Sequence, residues 1–268
     1  MISLWLGFGG GIALIAWVIL ETPGAVNLVS WPAMVLIFGG TLAAVSVQEG
    51  LPAVLAATAR ALRLLLPGRS ATLEQAAAEI SRLARRAQAE GGLLALQGEG
   101  SALADDGFLR RALNAASTAA DASEVRAIME AEISEMRRSR VQESEVFQAM
   151  ASAAPILGLM GTLLGMVRVV SAVSDPVRMG PAMALALSSD FVALGLSQLI
   201  CSPLAGRLMA EARREVLLRE VALEGALGIM AGRPIYRLEL QLAAYVRRRQ
   251  RQLGPTLEPA GRRAAAAA

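Results

Sequence analysis

The chain has 268 residues, 54% of them hydrophobic and only 4% aromatic, and its mean hydropathy of +0.48 is that of an integral membrane protein. It has no histidine and a single cysteine, Cys201, which excludes internal disulfides, Cys/His zinc sites and Cys–His catalysis. All 26 basic residues are arginines, set against 23 acids, and no arginine lies in the first 59 positions.

The arginines are segregated. Leu51 to Glu145 holds 12 of them against 13 acids, and the chain from Leu204 onward holds 12 against 6. By the positive-inside rule both stretches are cytoplasmic, so the basic balance reflects topology and contact with membrane lipid. Nucleic-acid binding is not indicated, because no aromatic residues interleave the charge.

Met1 to Leu20 is uncharged and long enough to span a bilayer. It lacks the basic start and small-residue cleavage site of a signal peptide, so it reads as a retained first helix. Its glycine cluster, Gly7, Gly9, Gly10 and Gly11, follows no strand and reads as close helix packing rather than a phosphate loop. A turn around Pro23-Gly24 leads to a second span from Trp31 to about Val47, with Trp5 and Trp31 suited to the interfaces.

Leu51 to Leu66 predicts an amphipathic helix ended by Pro67-Gly68. Thr72, three residues before Gln75, predicts a capped helix to about Glu90, broken by Gly91-Gly92. A short helix is expected from Phe108. A long one, capped by Asp121 or Ser123, carries Val125, Ile128, Met129, Ile133 and Met136 on one face and runs on into a third span.

Val146 to Val167 has no ionisable side chain, and Met179 to Gly206 has one, Asp190, so these arms form a membrane hairpin around Asp175-Pro176. Ala154, Gly158, Gly161 and Gly165 stack on one face for close packing, Thr162 projects beside them, and Pro155 removes one backbone donor. Counted from a loop centre near Val177, Arg168 and Asp190 differ in depth by about four residues, roughly 6 Å. Arg168 is thus the expected counter-charge of Asp190, and two roles stay open for the carboxylate: an ion relay, or half of a fixed pair. Leu204 to about Met230 continues the fourth helix, Gly232-Arg-Pro234 breaks it, Ile235 to Gln252 forms a last helix, and 254–268 is a disordered tail.

The predicted fold is an all-α membrane protein with four transmembrane helices, a helical cytoplasmic domain between the second and third, and long third and fourth helices extending into the cytoplasm. The expected divisions are 1–50, 51–145, 146–203, 204–253 and 254–268. No nucleophile–base pair, metal cluster or phosphate loop points to an enzyme.

Phe38-Gly-Gly-Thr41, Ala154-Pro155-x-x-Gly158-x-x-Gly161-Thr162-x-x-Gly165, Asp175-Pro176, Ser202-Pro203-Leu-Ala and Glu224 to Pro234 together resemble the MotA family of flagellar stator subunits, related to TolQ and ExbB. The resemblance implies a homopentamer in the bacterial inner membrane with both termini cytoplasmic. It would surround a single-span, peptidoglycan-anchored MotB-like partner, carry protons or sodium ions with no bound cofactor, and push on a FliG-like rotor protein. It places Pro155 and Pro203 beside the ion path and Thr162 opposite the partner's carboxylate. Where the family commonly has a Thr pair or Gly-Thr, this chain reads Ser189-Asp190, adding a carboxylate to the path. The rotor-facing loop would present Arg85, Arg86, Glu90 and Glu99. Two alternatives are a TolQ- or ExbB-like energiser of envelope transport, disfavoured by the two helices before the loop, and a non-conducting membrane scaffold.

Overall fold

The computed structural model describes residues 31–65, 72–90, 107–118 and 121–240, together with 92, 243, 244 and isolated positions in the first 21 residues. The first expected span, the tail and Glu99 therefore lie outside the described residues. Every regular element among those described is a helix.

Helix α1 is Trp31–Glu49 and contains a wide π turn at Val35–Gly39. α2 is Leu51–Leu65, α3 Leu73–Ala89, α4 Phe108–Thr118 and α5 Ala122–Ser171. α6, Pro176–Leu194, passes through a second π turn, Gly195–Cys201, directly into α7, Ser202–Met230. Residues 235–240 are helical again. Among the described residues three helices are long and apolar enough to cross a membrane: Trp31–Glu49, Ala122–Ser171 and Val177–Met230.

The local chemistry explains the boundaries. The Thr72 hydroxyl accepts the Gln75 N–H at 3.2 Å, while the Gln75 side chain accepts the Thr72 N–H at 2.9 Å, so two orphan donors at the start of α3 are satisfied reciprocally. Of the two candidate caps for α5, Asp121 is the one used: its carboxylate accepts the Ser123 N–H at 3.3 Å and also the Ser123 hydroxyl. These bonds, the hydroxyl's first, hold the Asp121 carboxyl below its ordinary value of 3.8. Asp175 caps α6 through the Val177 N–H at 3.1 Å, with Pro176 at the first helical position, where no N–H is required.

The chain divides into two compact units. One comprises 69–138 and 212–268; its core joins α3 (Ile80, Leu83), α4 (Phe108, Leu109), the start of α5 (Val125, Met129) and α7 (Val221, Ala226). The Arg219 guanidinium lies 5.5 Å from the centroid of the Phe108 ring, a cation–π contact at the edge of that core.

The other unit, 1–68 and 139–211, contains the apolar spans. Here α2, expected with the cytoplasmic domain, joins the membrane helices instead: Val54, Ala57 and Ala61 are buried in one cluster with Val146, Met150, Ala205 and Leu208. The reason is α2's single apolar stripe, which those residues match, whereas Arg60 on its flank reaches toward Glu143 at 3.9 Å.

Candidate functional site

The α5–α6 contact is built from small residues. A Cβ added to Gly158 would stand 2.6 Å from Ala193 Cβ; one on Gly161 would stand 2.5 Å from Ser189 Cβ; one on Gly165 would stand 2.5 Å from Ala186 Cβ and 2.8 Å from its Cα. Three glycines at three- and four-residue spacing thus nest directly onto Ala193, Ser189 and Ala186, the close approach that glycine alone permits. α1 covers the same region. Leu157 fits against Gly40, where a Cβ would meet it at 3.1 Å, and Leu36 lies by Gly161.

Polar groups thread this contact. The half-buried Thr162 hydroxyl donates either to the Gly158 carbonyl of its own helix, at 3.2 Å, or across the gap to the Ala186 carbonyl, at 3.4 Å. Ser188 and Ser189 are fully buried, and their hydroxyls turn back onto the Ala184 and Leu185 carbonyls at 2.6 and 2.9 Å. Ser189 is accordingly a packing residue with a self-satisfied hydroxyl, whereas Asp190 is only half-buried, its Oδ1 lying 3.3 Å from where a Gly158 Cβ would be.

The expected Arg168–Asp190 pair does not form. Because Gly158 faces Ala193 and Gly165 faces Ala186, Arg168 is level with position 183, about seven residues or roughly 10 Å of helix rise from Asp190. Neither side chain has an ion-pair partner among the described residues. The loop count missed because the nesting of glycines onto small residues, not the loop midpoint, sets the register.

Pro155 does not interrupt α5, but its missing N–H leaves the Ala151 carbonyl, four residues back, without its helical donor. The Ser197 hydroxyl supplies the replacement at 2.6 Å, from inside the π turn between α6 and α7. Two turns beyond, the Ser144 hydroxyl donates to the Ala205 carbonyl at 2.8 Å. Pro203 stands just after the π turn, where the Ser202 N–H bonds back five residues to Ser197. Sequence reasoning anticipated a freed carbonyl at Pro155 but did not identify Ser197; its signal is a serine in an apolar span of the facing arm.

In α1, Thr41 is 2% exposed and its hydroxyl is the one buried side-chain oxygen without a hydrogen-bond partner among the described residues.

The proposed rotor-facing residues belong to the other unit. Arg85, Arg86 and Glu90 are exposed; Arg85 pairs with Glu239 at 2.9 Å and Arg86 with Glu90 at 2.9 Å. Exposed pairs of this kind add little stability, which leaves them available for other duties.

The arrangement is thus a closely packed, almost uncharged helix pair with a threonine able to switch between two carbonyls and one carboxylate beside Gly158. Residues 101–221 match the MotA/TolQ/ExbB proton channel family. The chain is 30% identical over 164 residues to Uncharacterized protein YtxD of Bacillus subtilis, covering 61% of this chain and 60% of that protein. It is 27% identical over 251 residues to Motility protein A of Cereibacter sphaeroides, covering 93% and 96%. Among solved structures, the flagellar MotAB stator complex from Bacillus subtilis has a chain that superposes with a TM-score of 0.80 at 25% identity, over 91% of this chain and 96% of that one. The chain therefore spans 60% of the first relative and 96% of each of the other two, and over residues 101–221 it is similar to the MotA/TolQ/ExbB proton channel family.

Proposed function

We propose that the chain is the ion-conducting, force-generating subunit of a flagellar stator. The observation that carries this reading is the α5–α6 contact, where Thr162 and Asp190 are the groups able to handle a cation in an interior without other charge between Val146 and Val167. The similarity to Motility protein A and to a MotAB stator complex over almost the whole chain supports the flagellar output.

In this reading four spans place both termini in the cytoplasm, and five copies surround a MotB-like single-span partner whose carboxylate carries H⁺ or Na⁺ past Thr162. The Thr162 hydroxyl, bonded inward to Gly158, can rotate to offer its oxygen to the ion and return to the Ala186 carbonyl when the ion leaves. Asp190 lowers the barrier electrostatically from the neighbouring turn. Pro155 and Pro203 shape the backbone at the entry, and a FliG-like rotor protein takes the force through exposed charges such as Arg85, Arg86 and Glu90.

Co-expression with a MotB-like partner, followed by ion-flux measurement in intact oligomers, tests the reading. Flux should depend on the partner, fall with Thr162→Val and Asp190→Asn, and survive Thr162→Ser. Assembled complexes that pass no ions, or pass them equally in both variants, would overturn it.

A further inference from the structure

We propose that the hairpin end of the membrane unit holds a binding site for the phosphate headgroup of an anionic phospholipid, in a cleft between α1, the end of α5 and the start of α6. The cleft measures about 940 Å³ and is lined by Arg168, Ser171, Ser174 and Arg178, with Pro32 and Leu185 on its apolar wall. That volume exceeds what a single ion fills and suits a glycerophosphate group.

The charge balance calls for an anion. Of the 26 arginines only Arg168 and Arg178 lie between Val146 and Pro203, so the cleft concentrates basic charge at an otherwise neutral end of the hairpin. Asp175, also in the cleft, pairs with Arg178 at 3.1 Å and caps α6, which leaves two guanidinium groups to one carboxylate. Arg168, without an ion-pair partner among the described residues, sits on an apolar stretch whose Val167 and Val170 are 64% and 70% exposed. An arginine at such a place needs a counter-charge at the membrane interface, and a guanidinium binds phosphate oxygens in a two-pronged fork. Ser171 donates to the Val167 carbonyl at 2.8 Å, and Ser174 also lines the cleft.

The surroundings select a lipid over free phosphate. Pro32, Pro181 and Leu185 give the cleft an apolar wall, a surface for acyl chains beneath a polar cup. The site is separate from Thr162 and Asp190, so it does not rest on ion conduction.

Native mass spectrometry of the detergent-purified full chain, titrated with phosphatidylglycerol, phosphatidylcholine or inorganic phosphate, tests the proposal. Phosphatidylglycerol should bind and phosphatidylcholine should bind far less. Arg168→Gln and Arg178→Gln should each weaken phosphatidylglycerol about fivefold, the effect of roughly one interfacial arginine contact, and Arg168→Lys, which keeps the charge without the fork, should restore only part of it. Ser174→Glu, which keeps both arginines and adds a negative charge to the cleft, should also abolish retention and covers the case in which an arginine variant misfolds. Equal retention of the two lipids, or unchanged phosphatidylglycerol binding in Arg168→Gln, Arg178→Gln and Ser174→Glu, overturns the proposal. Displacement of phosphatidylglycerol by inorganic phosphate would assign the cleft to a free anion and overturn the lipid assignment.

Discussion

Replacing Ser197 by alanine removes the donor that satisfies the carbonyl freed by Pro155. The bond is short, 2.6 Å, and both ends are buried: Ser197 is 0% and Ala151 7% exposed. Removing the donor leaves a buried carbonyl unsatisfied, so a cost of about 1–3 kcal/mol is expected. The same carbonyl can be satisfied another way. In a Pro155→Ala background the restored N–H bonds Ala151 within α5, and Ser197→Ala should then cost under about 1 kcal/mol. The two substitutions are therefore coupled by about 1–2 kcal/mol, and the double variant is more stable than the sum of the singles predicts. Thermal melting of the four detergent-solubilised proteins measures this, each kcal/mol moving the midpoint by about 2–4 °C. An equal loss of midpoint on removing the Ser197 hydroxyl with Pro155 present and absent would refute the assignment of the serine to the proline's freed carbonyl.

Gly165→Ala should lower the melting midpoint by an amount equivalent to about 1–3 kcal/mol, since its methyl meets Ala186 backbone that cannot yield, whereas Gly206→Ala, with nothing within 4 Å, should be neutral or stabilising. Asp190→Asn and Arg168→Gln, separated along the hairpin, should have additive effects on melting within about 0.5 kcal/mol; a strong coupling would restore the ion pair the register denies. Asp121 binds its proton less readily in the folded chain than in the unfolded one. Its cap is in full force above the ordinary carboxylate value of 3.8 and is lost as pH falls through its lower folded value, so acid should speed amide exchange at the start of α5 in that window, and Asp121→Asn should flatten the response.

How much of this could be read in advance depends on the range of the interaction. Thr72 and Gln75 announce their capping box because both partners lie within one turn, and the stripe Gly158, Gly161, Gly165 announces a contact because helical spacing alone aligns it. What lies opposite that stripe is decided by the partner helix. Ala186 and Ala193 are unremarkable in sequence and Ser189 stands out only beside the ion path, yet their positions set the register that separates Arg168 from Asp190. The docking of α2 among the spans is of the same kind, because an amphipathic stripe fits a membrane surface and a helix bundle equally well until Val146 and Ala205 are known to face it.

The π turns alter the phase of two helices. In α1 the buried positions Ala33, Ile37, Thr41 and Val45 fall every fourth residue, and Ser189, Ala193, Ser197, Cys201 and Ala205 do the same through α6 and α7. In a straight α-helix each four-residue step overshoots a full turn by about 40°, so three steps would carry the last residue about 120° off the face of the first. A turn holding one residue more winds back most of that drift, and the row stays aligned with its neighbour. Each helix thereby presents a straight seam of small side chains where an ordinary helix would present a slanted one, and two straight seams can lie along a partner without coiling around it.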